Sequence, residues 1–153
     1  MTRYLFYTFL VLILICCKTR TRDEKLVVDA GSFLDDKQTK EIEKMLTDID
    51  EKRRYHLFLY TVITERNYSQ PDYDLYIFDI LSKNDSGKNY NVLLYLAYDE
   101  KKITIKTGNK AREILTDSLS NIAISRLIPY LSQREYFDGI KSTIKYIDSV
   151  FVK

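Results

Sequence analysis

Two apolar runs constrain the fold of this 153-residue chain more than any other feature of its sequence. One is His56–Val62, and the other is the Val-Leu-Leu-Tyr-Leu-Ala stretch at residues 92–97. Both are too short for core helices and are bounded by charged or turn-forming residues. Runs of this kind predict strands that are buried on both faces, as in a sheet covered by helices on either side.

Helical patterns lie between and after these runs. Asp35 and Gln38 have the spacing of a capping box, which predicts that a helix begins there. Ser69 is the expected N-cap of a second helix, with Pro71 in its first turn and Asp72 at the capping-box position. The apolar residues of these two helices recur with helical spacing: Ile42, Met45, Leu46 and Ile49, then Tyr73, Tyr76, Ile77, Ile80 and Leu81.

The C-terminal third of the sequence is predicted to be helical. Pro129 is expected to stop or kink one helix near Leu127. Ser132 and Glu135 have capping-box spacing and predict the start of the last helix. Gly139 lies inside that helix, where glycine disfavours helix by about 1 kcal/mol relative to alanine. We therefore expect close packing of Gly139 against a neighbouring element.

The predicted fold is a three-layer α/β/α sandwich with a mixed four-stranded sheet, in the order β-α-β-α-β-β-α-α. Residues 26–28 form a short first strand, and strand–helix–strand units imply parallel pairing with right-handed crossovers. Residues 102–106 alternate between polar and apolar, which is typical of a strand with one solvated face. Only four residues separate them from the run at 92–97, so these two strands are expected to form an antiparallel hairpin.

The N-terminal 17 residues differ in composition from the rest. A basic start at Arg3 precedes an apolar stretch at residues 4–15, which matches the apolar region of a secretory signal better than a membrane span of about 20 residues. We expect residues 1–17 to be a signal peptide of the lipoprotein type, residues 18–25 a linker, and residues 26–153 one domain.

The two cysteines of the chain end this segment. Leu-Ile-Cys-Cys at residues 14–17 resembles the sequence at which bacterial lipoproteins are lipidated, with Cys17 as the modified residue. An uncleaved short anchor and ordinary secretion are the alternatives. All three place the domain outside the cytoplasm. The lipoprotein interpretation, which we expect, places it in the cell envelope, anchored to a membrane. No cysteine follows Cys17, so the domain is expected to fold without a disulfide.

Charge and histidine content exclude several classes of protein. The 24 basic and 22 acidic residues nearly balance, whereas a nucleic-acid-binding domain is expected to be strongly basic, so no nucleic-acid partner is predicted. His56 is the single histidine of the chain, which rules out a multi-histidine metal site or a Cys–His catalytic pair within one chain. We expect His56 to be structural.

Four blocks of sequence, in this order and spacing, resemble the TPM domain family. They are residues 27–34 followed by a capped helix, 91–97 followed by 102–108, 114–117, and 128–130 with 136–140. The family takes its name from a thylakoid-lumen protein of photosystem II repair, a photosystem II subunit-like protein and a nematode acetylcholine-receptor modulator. Its members are commonly extracytoplasmic and membrane-tethered. Some members are described as phosphatases and some bind calcium. The resemblance thus implies Ca²⁺ as the cofactor to consider.

Three aspartates are the candidate metal ligands. Asp29 follows the first strand, at the edge of the sheet where α/β folds place ligands. Asp117 matches an acidic position of the family, and Asp99 lies in the hairpin turn. Ca²⁺ takes six to eight oxygen ligands, so two aspartates form an incomplete shell. The ordinary alternative is that Asp29 caps the turn that follows it and Asp117 faces solvent.

We therefore expect an envelope-anchored domain that binds a membrane or envelope protein, or maintains a membrane complex, without catalysis. A metal-dependent phosphatase that uses Asp29 and Asp117 is the alternative, and a calcium-binding module is the third possibility. The sequence predicts no catalytic residue beyond these aspartates.

Overall fold

The computed structural model describes residues 25–52, 55–66, 68–83 and 88–152. Their strands are β1 (Val27–Asp29), β2 (His56–Val62), β3 (Asn91–Ala97) and β4 (Lys102–Thr107). Their helices are α1 (Asp36–Lys52), α2 (Tyr73–Leu81), α3 (Asn109–Ile114), α4 (Asp117–Ser132) and α5 (Tyr136–Phe151), and a 3₁₀ turn at Lys88–Tyr90 precedes β3. The predicted signal segment and Cys17 lie outside the described residues.

The four strands form one mixed sheet in the order β1-β2-β3-β4. β1, β2 and β3 are parallel, and β4 pairs antiparallel with β3. β3 is buried along its whole length because it lies inside the sheet and has helices over both faces. The predicted α/β fold class and the antiparallel hairpin are confirmed.

The two faces of the sheet support separate cores. On one face, Leu57 and Leu59 of β2 pack with Ile42 and Leu46 of α1, together with α4 and α5. On the other face, the alternate β2 residues pack against α2 alone. That second core consists of Phe58, Tyr60, Val62, Tyr73, Ile77, Phe78, Leu93, Tyr95 and Ala97.

The two strand–helix–strand crossovers have opposite hands. Both connections step in the same direction across the parallel strands β1, β2 and β3. Their helices nevertheless cover opposite faces of the sheet, α1 in the larger core and α2 in the smaller one. One crossover must therefore be left-handed, and the expectation that both are right-handed is wrong.

The predicted helix starts are confirmed at α1 and wrong elsewhere. Asp35 Oδ1 accepts from the Gln38 backbone N–H at 2.8 Å, and Gln38 Oε1 accepts from the Asp35 N–H at 3.1 Å, which completes the capping box. Ser69 lies outside α2, which begins at Tyr73. Ser132 is the last residue of α4, where its hydroxyl donates to the Ile128 carbonyl at 3.0 Å.

Pro129 does not stop its helix near Leu127, because α4 continues through it to Ser132. A break before this helix was not predicted: Leu115 and Thr116 separate α3 from α4. The Thr116 side chain caps α4 by accepting from the Leu119 N–H at 3.4 Å. None of the helices in the described ranges is both long enough and apolar enough to cross a bilayer.

Candidate functional site at the carboxyl edge of the sheet

Asp29 organises the loop that follows β1. Its carboxylate accepts from the backbone N–H groups of Phe33 at 3.1 Å and Leu34 at 2.9 Å. The Thr61 hydroxyl at the end of β2 donates to the same carboxylate. Both carboxylate oxygens are thus used within the protein, and the arrangement fixes the loop over the ends of β1 and β2.

Gly31 allows the Phe33 ring to approach the backbone of this loop closely. Its N–H donates to the Thr61 carbonyl at 3.1 Å, which extends the β1–β2 pairing past the last strand residue. A Cβ atom at Gly31 would lie 2.9 Å from the Phe33 ring, so a larger residue would displace that ring. The loop therefore holds Phe33 against its own backbone at the carboxyl edge of the parallel strands.

Three aromatic residues meet at this edge: Phe33 from the loop after β1, Tyr98 from the turn after β3, and Tyr136 at the start of α5. The ring of Phe33 is stacked on Tyr136 with centroids 4.8 Å apart, and the Tyr98 ring lies 6.1 Å from Phe33. Tyr98 is 49% exposed, while Phe33 and Tyr136 are half-buried. Burial raises the pKa of Tyr136, and the adjacent Tyr98 hydroxyl adds to this effect. We call Phe33, Tyr98 and Tyr136 the aromatic edge surface.

A residue with an unusual backbone conformation lies in the connection beside each of these rings. Among the described residues, three non-glycine residues have positive φ: Ser32 at 53°, Lys101 at 49° and Arg134 at 62°. Each lies within three positions of one member of the aromatic edge surface. A left-handed conformation costs such residues of order 1 kcal/mol. At Arg134 it ends α4, and the Arg134 and Glu135 N–H groups donate to the Leu131 and Tyr130 carbonyls at 3.1 and 2.9 Å.

The three predicted aspartates are divided between the two edges of the sheet. Asp99, in the turn after β3, lies at the carboxyl edge with Asp29, and its N–H donates to the Ile63 carbonyl at 2.8 Å. Asp117 follows β4, which runs antiparallel to β3 and ends beside its first residue, since the Gly108 N–H donates to the Asn91 carbonyl at 2.8 Å. Asp117 therefore starts α4 at the opposite edge.

The surroundings of Asp117 agree with this placement. Its side chain is 81% exposed, and its carboxylate lies 3.4 Å from Arg112 Nε. α4 then spans 16 residues, about 24 Å, toward the carboxyl edge. A shell shared by Asp29 and Asp117 does not fit this arrangement, and no group of three potential metal ligands is found in the described part of the chain. Metal binding by Asp29, Asp99 or Asp117 stays a prediction.

A second polar cluster lies under α2 and was not predicted from the sequence. Asp74, whose side chain is 3% exposed, accepts from Lys102 Nζ, Thr104 Oγ1 and Lys106 Nζ, each at 3.0 Å. These three donors form the polar face of β4, which the alternating pattern had assigned to solvent. This face is half-buried instead of fully solvated, because α2 lies over part of it and supplies a carboxylate to it.

Glu65 completes the cluster from the loop after β2. Its carboxylate accepts from Lys102 Nζ at 3.1 Å and from the Tyr95 hydroxyl at 2.7 Å. Burial would raise the pKa of Asp74, but its hydrogen bonds to the two lysines and to Thr104 outweigh that effect and lower the pKa to about 2. Burial raises the pKa of Tyr95, and the hydrogen bond to Glu65 raises it further. The charges are matched within the cluster, which indicates a structural role.

The sequence of the whole domain matches a known family. The family model of the TPM domain matches residues 27–150, which include all four described strands and all but the last residue of α5. The chain belongs to the TPM domain family. The match confirms the resemblance that the four blocks of sequence showed.

Two solved structures show the same fold as this TPM domain. The N-terminal domain of a protein from P. gingivalis has a TM-score of 0.72 at 22% identity, covering 83% of this chain and 82% of that one. The N-terminal domain of the cg2496 protein from Corynebacterium glutamicum has a TM-score of 0.63 at 15% identity, covering 88% and 84%. A search of curated protein sequences finds no significant match to this TPM domain.

Proposed function

We propose that this TPM domain is a lipid-tethered, extracytoplasmic binding module whose aromatic edge surface contacts an envelope or membrane protein. One observation carries the proposal: three separate connections of the chain place Phe33, Tyr98 and Tyr136 together at the edge where α/β folds bind ligands. Tyrosine is enriched among the residues that contribute most to protein–protein binding. The stacking of Phe33 on Tyr136 holds these two rings in place before a partner arrives.

The chemistry of Asp29 favours binding over catalysis. Its carboxylate accepts two backbone N–H groups and one hydroxyl, so its lone pairs are directed into the loop. A phosphatase that used Asp29 with Asp117 would need both at one phosphate or metal ion, and the fold separates them by the length of the sheet. Asp29 and Asp99 share an edge, so a cation site that used two of the three aspartates would lie there.

The test is capture of the partner from native membranes by the full chain. Tyr98→Ser removes the most exposed ring of the aromatic edge surface and should lower the captured partner at least fivefold, because the contact loses an aromatic anchor. Tyr90→Ser is the matched control, since Tyr90 is 38% exposed but lies beside the start of β3, at the opposite edge. Equal capture by both variants would contradict the proposal.

A phosphatase assay separates the enzymatic alternative. The purified full chain should not hydrolyse a phosphomonoester with or without Ca²⁺ or Mg²⁺. Hydrolysis that depends on a divalent cation and disappears in both Asp29→Asn and Asp117→Asn would overturn the binding-module proposal in favour of the enzyme.

A further inference from the structure

Negative charge is concentrated around the aromatic edge surface. The connections at residues 30–38, 98–101 and 133–139 each contain one of its rings, two carboxylates and one cation. The charged residues are Asp35, Asp36 and Lys37, then Asp99, Glu100 and Lys101, and finally Arg134, Glu135 and Asp138. Together they have a net charge of −3, whereas residues 25–153 contain 20 acidic and 20 basic residues in all. The excess of negative charge is therefore a local property of this edge.

The carboxylates beside the two tyrosines are not used by the fold. Asp99 and Glu135 are exposed, and neither carboxylate has a hydrogen bond or an ion pair within the described part of the chain. Glu135 lies at the N-cap position of α5 without capping the helix through its side chain. Asp29 adds to the excess of negative charge, because its N–H and hydroxyl partners carry no compensating charge. Both exposed carboxylates are thus available to a partner.

The rings of the aromatic edge surface hold no cation of this chain among the described residues. The cation–π contacts found there are those of Lys102 with Tyr95, Arg126 with Tyr146, and Lys141 with Phe137. Lys101 and Arg134 lie in the same connections as Tyr98 and Tyr136, yet neither is placed over a ring. A cation is attracted to the face of an aromatic ring, and nearby carboxylates strengthen that attraction. The surface therefore has the chemistry of a site for a cationic side chain.

We infer that the aromatic edge surface recognises a basic segment of its protein partner. An arginine side chain would lie on the Tyr98 ring and donate to the carboxylates of Asp99 and Glu135, because its planar guanidinium both stacks on rings and pairs with carboxylates. The inference rests on the proposed function and specifies the chemistry of the partner. An anionic lipid headgroup does not fit, since the same carboxylates would repel it.

A defined peptide tests the recognition of arginine. The probe is a capped glycine-rich peptide with three arginines, and its control has citrulline, an uncharged analogue, at the same positions. Binding to the full chain is measured in micelles of an uncharged detergent, with EDTA present, from the NMR signals of Tyr98 and Tyr136. The arginine peptide should bind at least tenfold more tightly than the citrulline peptide. Equal affinities, or binding that leaves these two signals unchanged, would overturn the inference.

Two substitutions in one turn separate charge from structure. Asp99→Asn should weaken binding of the arginine peptide at least threefold, because it removes a carboxylate beside Tyr98. Lys101→Gln should strengthen that binding, because it removes a competing cation from the same turn. Both positions are exposed, so both variants should melt at the temperature of the native chain. A change of the same sign in both variants would contradict recognition of a basic segment.

Salt distinguishes failure of this inference from failure of the proposed function. Raising NaCl from 0.15 M to 1 M shortens the screening length from about 8 Å to about 3 Å. Capture of the partner from native membranes should then fall at least fivefold. Capture that survives 1 M NaCl and still depends on Tyr98 would leave the proposed function in place and overturn the basic segment. Capture that does not depend on Tyr98 at either salt concentration would overturn both.

Discussion

At the scale of single residues, two carboxylates show how this domain accommodates charge. Asp29 is half-buried and satisfied by backbone N–H groups and a hydroxyl, and Asp74 is buried and satisfied by two lysines and a threonine. Buried charges require such partners, because an unsatisfied charge costs several kcal/mol. The two residues therefore hold different parts of the fold: a loop at the carboxyl edge, and the contact between α2 and β4.

Asp29→Asn should destabilise the domain by about 1–3 kcal/mol without any metal, because the amide directs N–H donors at groups that also donate. If Asp29 served only to bind a metal, the same substitution would leave the unfolding free energy of the metal-free protein almost unchanged. Urea unfolding of the two proteins, with Asp99→Asn as an exposed control at the same edge, distinguishes these outcomes. Equal stability of all three proteins would show that the loop does not depend on the carboxylate.

Asp74 should make a distinct contribution to acid unfolding. Its pKa is lowered from 3.8 to about 2, so folding favours the ionised form. The resulting stability is fully present above about pH 5 and is lost as the pH falls through 3.8 toward 2, a change of about 2 kcal/mol. Unfolding free energies measured from pH 5 to pH 2 should therefore converge between the native chain and Asp74→Asn. Parallel pH profiles would contradict this assignment.

At the scale of elements, the sequence predicted what depends on local pattern. The apolar runs became β2 and β3, and the capping box of Asp35 and Gln38 formed as expected. Ser69 and Ser132 have the same spacing to an acidic residue, yet neither caps a helix. Serine and an acidic residue at this spacing are also common in turns. The pattern therefore marks a helix start only where the residues that follow it are helical, as they are after Asp35.

What covers an element was not predictable from its own pattern. The alternation at residues 102–106 shows that the two faces of β4 differ, but not that Asp74 and Glu65 cover the polar one. The separation of Asp29 from Asp117 depends on where α4 begins relative to the sheet. That position follows from the direction of β4 and the short helix α3, which was not predicted as a separate element.

Gly139 tests the packing of α5 on α4. A Cβ atom there would lie 2.7 Å from Tyr130 Cβ and 2.8 Å from Leu127 Cδ1, so the close approach predicted from the sequence is present. Gly139→Leu should destabilise the domain by about 1–3 kcal/mol through overpacking. Lys145→Leu, at an exposed position of the same helix, should change the unfolding free energy by less than 0.5 kcal/mol, within the range of ordinary surface substitutions. Similar losses in both variants would refute close packing at Gly139.

At the scale of the whole molecule, the described elements form a complete folding unit. Both cores are assembled from residues between Leu26 and Phe151, without a cysteine. Because the crossovers have opposite hands, both faces of the sheet are covered: α1, α4 and α5 pack on one face, and α2 packs on the other. Residues 23–153 should therefore unfold in one cooperative transition that is insensitive to reductant, as differential scanning calorimetry would show.

The proposed anchor predicts a specific modification. Cys17→Ser should leave an unprocessed precursor and remove labelling by a fatty-acid analogue, because the acylated thiol is absent. Cys16→Ser is the matched control and should keep the label. Labelling that persists when both cysteines are replaced would exclude lipidation at this segment and leave the uncleaved anchor or ordinary secretion.

The edge position of β1 has a mechanical consequence. β1 is the first described strand, and it is held along its length by parallel bonds to β2, including Leu59 N–H to the Leu26 carbonyl at 2.9 Å and Gly31 N–H to the Thr61 carbonyl at 3.1 Å. A pull between residue 25 and a partner held at the carboxyl edge acts along the strand, so these bonds are sheared together rather than opened one by one. Residue 25 and Val152 both lie at the amino edge of the parallel strands, since Phe151 is stacked on Tyr55 directly before β2. A pull between these two residues therefore opens the β1–β2 bonds one after another from that edge. The domain should resist tension in the first direction and yield readily in the second.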